Sequence, residues 1–244
     1  MIIEDLIEIN RRLSYDLWNV SVFNGNPSGL SPKLIFPVKR INGEIRISEQ
    51  EARILYCNIL NNLNYFYSIE TPTTKTYQQK GSTPLSALSD LSIYTYNNNG
   101  FGREANVEFK ARNVIRESIR KDIEKIITEG RDGNWVHILE KISNKTLPSV
   151  FKKFIDSIKS QYKKGIKITI VFCICVIKEY IPGKKMSIIK RLRFDDPLFS
   201  QNISNYLEEF FCLDKNNNSN NIDGKNLVVQ KDILKNNDWM IVEQ

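Results

Sequence analysis

The amino-acid sequence predicts an α/β fold, a central mixed β-sheet flanked by helices, built as one domain. Two observations carry the prediction. Apolar residues recur at helical spacing over residues 49–63 and 114–129, while β-branched and aromatic runs at 65–74, 90–96, 105–112, 134–142 and 167–177 read as strands. The resulting order of helix, three strands, helix, strand, helix, strand describes a mixed sheet with helices on its faces.

The elements follow in chain order. Residues 2–13 carry apolar side chains at 2, 3, 6, 7 and 9, which fits a short amphipathic helix. Residues 23–37 are rich in Gly, Pro, Asn and Ser and read as loop. Ser48-Glu49-Gln50-Glu51 forms a capping-box pattern, followed by Ala52, Leu55, Tyr56, Ile59, Leu60 and Leu63 on one helical face. The run 65–74 is strand-like, and Pro72 limits it to a sheet edge or a strand end. Strands at 90–96 and 105–112 flank Asn-Asn-Asn-Gly-Phe-Gly, a hairpin connection. Ile115, Ile119, Ile123, Ile126 and Ile127 then mark a helix ending at Gly130. A strand over 134–142, a basic amphipathic helix over 147–162, a buried strand over 167–177 and a further strand over 184–194 complete the core. Residues 199–211 look helical and 215–226 form an Asn-rich loop. The expected division is an N-terminal extension (1–47), a core (48–194) and a C-terminal extension packed on it (195–244).

Composition narrows the function classes. A hydrophobic fraction of 41% and a charged fraction of 26% are ordinary globular values. The longest apolar run, 166–177, is well short of the ~20 residues that span a bilayer. The acidic opening residues lack the basic start of a secretory signal, so the expected location is the cytoplasm without membrane attachment. The four cysteines form no Cys-x-x-Cys pair and read as reduced thiols. Of the net charge of +7, residues 145–194 contribute thirteen basic side chains against Asp156 and Glu179. That concentrated field suits a polyanion, and nucleic acid above others.

The hairpin carries the chemistry. With its turn centred near Gly100, position 90 faces about 110, so Asp90 is expected beside Lys110. Glu108 and Lys110 project from one strand face, while Val107, Phe109 and Ala111 project from the other. Cross-strand neighbours lie ~5 Å apart, so Asp90, Glu108 and Lys110 converge on one small volume. Two carboxylates that close repel unless a cation lies between them, and oxygen-rich ligation suits Mg²⁺.

Ser89-Asp90 and Val107-Glu108-Phe109-Lys110-Ala111, eighteen residues on, resemble the motif of the PD-(D/E)xK nuclease superfamily. The resemblance spans residues 48–177 and implies a restriction-endonuclease-like αβββαβ core. It implies a metal-dependent nuclease, with Asp90 and Glu108 binding Mg²⁺ (or Mn²⁺) and Lys110 assisting hydrolysis of a phosphodiester. Ser89 stands where the motif's name has Pro. A glutamate on the first core helix often completes the metal site in that family, for which Glu49 and Glu51 are the candidates, and Glu70 on the first strand is another. DNA is the favoured substrate and endonuclease the favoured mode, with defence against foreign DNA or repair as roles by analogy. A homodimer and a partner protein that supplies specificity are both compatible with the resemblance. The alternative class is a noncatalytic nucleic-acid-binding or assembly module on the same fold. Backbone phosphate contacts are expected from Lys121 and Lys125 and, on the basic helix, from Lys152, Lys153, Lys159, Lys163 and Lys164. His137, the only histidine, excludes any two-histidine metal site.

Overall fold

The computed structural model describes residues 3–22, 33–39, 43–77, 83–142, 146–211, 234 and 238–244. The Asn-rich stretch at 215–226, most of the loop expected at 23–37, and Cys212 lie outside the described residues. Helix α1 (Ile3–Trp18) is followed by two short strands, β1 (Ser21–Val22) and β2 (Ile35–Phe36), which pair parallel. Helix α2 (Glu49–Asn62) then leads into a meander of β3 (Phe66–Tyr77), β4 (Leu85–Asn97) and β5 (Gly100–Ala111). Helix α3 (Arg116–Glu129) crosses to β6 (Asp132–Leu139), and α4 (Thr146–Gln161) to β7 (Thr169–Ile181). Strand β8 (Lys184–Arg193), short helices α5 (Pro197–Gln201) and α6 (Ile203–Phe210), and β9 (Met240–Glu243) complete the chain.

Strands β3 to β9 form one seven-stranded sheet in sequence order. Neighbours are antiparallel from β3 to β5, parallel from β5 to β7, and antiparallel from β7 to β9. The mixed pattern follows from the connections: tight turns reverse the chain, whereas the α3 and α4 crossovers return it parallel. Pro72 lies in β3, an edge strand, where a missing N–H costs no ladder bond on the open side.

Both sheet faces are covered, which is why β6 and β7 are apolar on both sides. Trp135 and Leu139 of β6, with Ile170, Phe172 and Ile174 of β7, pack under α3 and α4. Val136, Ile138, Val171, Cys173 and Cys175 pack under α1 and α2. Helix α1 is longer than its sequence pattern suggested and is joined to the core: Asn10 Nδ2 donates to Asn134 Oδ1 at 2.9 Å and Trp18 Nε1 to Val176 O at 2.8 Å. The helical stretch expected at 199–211 is two short helices, broken at Asn202, which caps the second through the Asn205 N–H. Phe210, Phe211 and Trp239 join the core beneath α4.

One glycine sets how closely α3 approaches the sheet. A Cβ placed on Gly133 of β6 would lie 2.5 Å from Ile126 Cγ2, so the helix packs where no side chain fits. Gly130, in the left-handed conformation at φ 61°, ends α3 and turns the chain into β6. This close seat brings polar residues of α3 onto the face of β5 that carries Glu108.

Candidate functional site

The site forms where β4 parts from β5. Their ladder ends at Leu91 paired with Val107, and the next residue, Asp90, accepts the Phe109 N–H at 2.8 Å through Oδ2. A side chain thus replaces the missing strand partner. This corrects the expected register, in which Asp90 faced Lys110. The turn is two residues, Asn98 and Asn99, with Asn97 paired to Gly100, and a bulge falls between Ile93 and Tyr94. Carried one step past its last pair, this register sets Asp90 level with Glu108 instead of Lys110. The expected division of faces holds: Val107 and Phe109 join the α1/α2 core, while Glu108 and Lys110 turn toward α3.

Glu108 is fully buried, and both its oxygens are engaged. Oε1 accepts from Ser89 Oγ at 2.9 Å and Oε2 from Lys125 Nζ at 2.7 Å. The same ammonium donates to Leu88 O at 2.9 Å and lies 2.8 Å from Asp122 Oδ1. Asp122 Oδ2 lies 2.8 Å from Lys110 Nζ, which also donates to Phe109 O at 3.0 Å. Charges therefore alternate through Glu108, Lys125, Asp122 and Lys110, along one turn of α3 and two positions of β5. Burial pushes the Glu108 carboxyl above its ordinary range, and Asp122 and Asp90 add to the rise while Lys125 opposes it. Burial disfavours the charged forms of Lys110 and Lys125, but their carboxylate neighbours outweigh it and hold both lysines above their ordinary value.

Helix α2 supplies the rest. Arg53, 9% exposed, donates from Nη2 to Asp90 Oδ1 at 3.1 Å and places Nη1 3.5 Å from Glu70 Oε1. Glu49, half-buried in the first turn, has its carboxyl raised by burial and by Asp90 and Asp122, with Lys110 and the Ala111 amide pulling the other way. Of the two glutamates expected near the site from this helix, Glu49 is the one that reaches it. Glu51 accepts from Ser48 N at 3.1 Å and Ser48 Oγ at 2.5 Å, completing the capping box. Glu70 is 62% exposed at its side chain and, among the described residues, pairs with Arg53 at 3.5 Å.

The predicted phosphate-binding lysines divide. Lys125 is corrected: all three of its ammonium protons are committed to Glu108, Asp122 and Leu88 O, leaving none for a phosphate. Lys121, Lys152, Lys163 and Lys164 are exposed. Lys153 donates to Asn113 Oδ1 at 2.9 Å and Val114 O at 2.8 Å, tying α4 to the chain just past Lys110, and Lys159 lies 3.4 Å from Glu208. His137 is fully buried, with Nε2 2.6 Å from Arg112 O, and burial pushes its pKa down to about 4. It is a neutral residue of the fold that braces Arg112, whose backbone is left-handed at φ 66°.

Asp122, Arg53 and the true partner of Lys125 were not singled out from the sequence. A signal existed for the first and last: Asp122 and Lys125 fall inside the arc set by Ile119, Ile123 and Ile126, where a charge must find a buried partner. Arg53 offered no comparable signal, because arginine stems ordinarily cover apolar surface from a helix side. Among the described residues, no group of three or more His, Cys, Asp or Glu side chains stands in a metal-holding arrangement. Asp90 and Glu108 are instead each held by protein donors. Comparison of the chain with protein-family models, curated proteins and solved structures returned no match.

Proposed function

We propose that the chain is a divalent-metal-dependent nuclease of the PD-(D/E)xK type acting on DNA, with Asp90, Glu108 and Lys110 as its working residues. The observation that carries this reading is the meeting of Asp90 and Glu108 at the point where two sheet strands part, with Lys110 on the same face. The order α2, β3, β4, β5, α3, β6 also follows the helix, three strands, helix, strand order that the resemblance implies. The oxygen donors a divalent cation would need are close together: Glu49 lies in the field of Asp90, and Glu108 in the fields of Asp90 and Asp122.

Asp90 and Glu108, with Glu49 beside them, are the residues that would hold Mg²⁺ or Mn²⁺. When bound, such an ion lowers the pKa of water and offsets charge gathering on a phosphate. Lys110 keeps its ammonium charged beside Asp122, poised to orient a water or stabilise phosphoryl oxygens. Lys125 and Ser89 fix the Glu108 carboxylate in one orientation. Exposed Lys121, Lys152, Lys163 and Lys164 offer sequence-independent phosphate contacts. Lys153 draws α4 toward the end of β5, bringing the basic helix to the site's side of the sheet.

A second reading, a noncatalytic nucleic-acid-binding module, draws on the complete engagement of both Glu108 oxygens by Ser89 and Lys125. Incubating the protein with supercoiled plasmid, single-stranded DNA and RNA in Mg²⁺, Mn²⁺ or EDTA separates the readings. Metal-dependent cleavage supports the nuclease, whereas binding that persists in EDTA without cleavage under any condition supports the module.

A further inference from the structure

Arg53 is an unusual neighbour for a metal-binding carboxylate. Its side chain is 11% exposed, and its guanidinium sits on Asp90 Oδ1 at 3.1 Å and leaves a buried Nε without a partner among the described residues. Buried unsatisfied donors are rare in folded proteins, and each calls for a reason. Its second carboxylate, Glu70, is mostly exposed and lies further off, at 3.5 Å. Glu70 sits between Ile69 and Thr71, which pair with Leu91 and Ser89, so it stands level with Asp90 across the β3/β4 ladder. Its backbone is left-handed at φ 50°, a conformation that costs a residue bearing a Cβ and breaks the pleat beside Asp90. One buried cation is thus shared unequally between a carboxylate inside the site and a carboxylate at its rim.

We propose that Arg53 is a positioning residue that serves as the resident counter-ion of Asp90, yields Asp90 to a divalent cation, and then withdraws toward Glu70. The inference rests on the metal-dependent reading above. Without a cation, Asp90 would be a part-buried carboxylate beside Glu49, Glu108 and Asp122, and Arg53 offsets that repulsion. With a cation on Asp90, the two positive charges repel, and the rim position of Glu70 gives the guanidinium a carboxylate at a longer distance. The spare Nε–H supplies the donor for a closer, two-pronged pairing with Glu70.

Calorimetric titration of Mg²⁺ and Mn²⁺ into metal-free wild type, Arg53→Met, Glu70→Gln and Asp90→Asn proteins tests the proposal without measuring cleavage. Because cation binding must break one charge-assisted hydrogen bond, Arg53→Met should tighten Kd about tenfold or more. Glu70→Gln removes the rim charge and should weaken Kd. Asp90→Asn should abolish the binding. The metal-free Arg53→Met protein should also melt below wild type and gain more in Tm from added cation. Glu70 is exposed, so its substitution tests the idea even if Arg53→Met folds poorly. Unchanged or weaker binding by Arg53→Met, or unchanged binding by Glu70→Gln, overturns the counter-ion role while Asp90-dependent binding by wild type leaves the metal site standing. Absence of any Asp90-dependent binding overturns both.

Discussion

Replacing Lys125 by Met tests the buried charge network at its most connected point. The substitution keeps the length of the stem and removes the ammonium that touches Glu108 at 2.7 Å, Asp122 at 2.8 Å and Leu88 O at 2.9 Å. Glu108 then keeps only Ser89 Oγ, in a place with no solvent access. Breaking a buried pair by removing one partner costs about 3–5 kcal/mol, most of it the stranded charge. For a chain of this size each kcal/mol moves Tm by about 2–4 °C, so a fall of about 10 °C is expected. The pH dependence has a definite sign. The Glu108 carboxyl is already raised above its unfolded value of 4.5, so its favourable contribution is complete below that value and is lost as pH rises through the folded value. Without Lys125 the folded value climbs further, so the variant's deficit should be small at pH 5 and grow toward pH 8. Urea unfolding across that range, with Glu108→Gln and the double variant completing a cycle, measures the coupling directly. A deficit below about 1 kcal/mol at pH 8, or no relief from Glu108→Gln, would refute the placement of Lys125 in the interior, since an exposed pair is worth no more than that.

Three further outcomes follow from the same geometry. His137 is held neutral with its pKa near 4 against 6.5 when unfolded, so stability should fall by about 3 kcal/mol as pH drops from 6.5 to 4. Denaturant titrations of a His137→Phe protein should show that acid limb flattened, and an unchanged limb contradicts the assignment. Gly133→Ala forces a methyl group to within 2.5 Å of Ile126 and should cost about 1–3 kcal/mol by overpacking, read as a lowered Tm; a neutral result means that α3 sits further from the sheet. If Lys152, Lys163 and Lys164 each contact a phosphate, the triple alanine variant should reduce the slope of log affinity against log salt by about 3, measured by anisotropy on duplex DNA in EDTA. An unchanged slope removes these lysines, one on α4 and two just past its end, from the binding surface.

The sequence made most of the elements legible because their signals are local. The capping box at Ser48 and Glu51, the isoleucine face of α3 and the continuous apolar run of β7 each specify an element without reference to the rest of the chain. The hairpin register differs by two residues from the one that a turn centred near Gly100 predicts, because a tight Asn98–Asn99 turn and a bulge leave little trace in residue type. The same face was reached nonetheless, since a shift of two preserves side-chain alternation. The buried lattice of Lys110, Asp122, Lys125 and Glu108 depends on how closely α3 sits on β6 at Gly133, a tertiary fact invisible in helical periodicity. Glu51, the candidate from this helix that the capping box already explains, is consumed by the cap, and Glu49 is the one in the field of Asp90 and Lys110.

The central claim is tested most directly by the rate of metal-dependent cleavage in wild type beside Asp90→Ala and Lys110→Ala proteins whose folding has been verified. The account predicts that wild type cuts DNA in Mg²⁺ or Mn²⁺ and not in EDTA. It further predicts that Lys110→Ala loses about 10²- to 10³-fold in rate, as expected for removal of one preorganised stabilising group, and that Asp90→Ala is inactive. Cleavage that survives in both folded variants would contradict the assignment of chemistry to this site, and a wild type that binds DNA but never cuts it would favour the noncatalytic module.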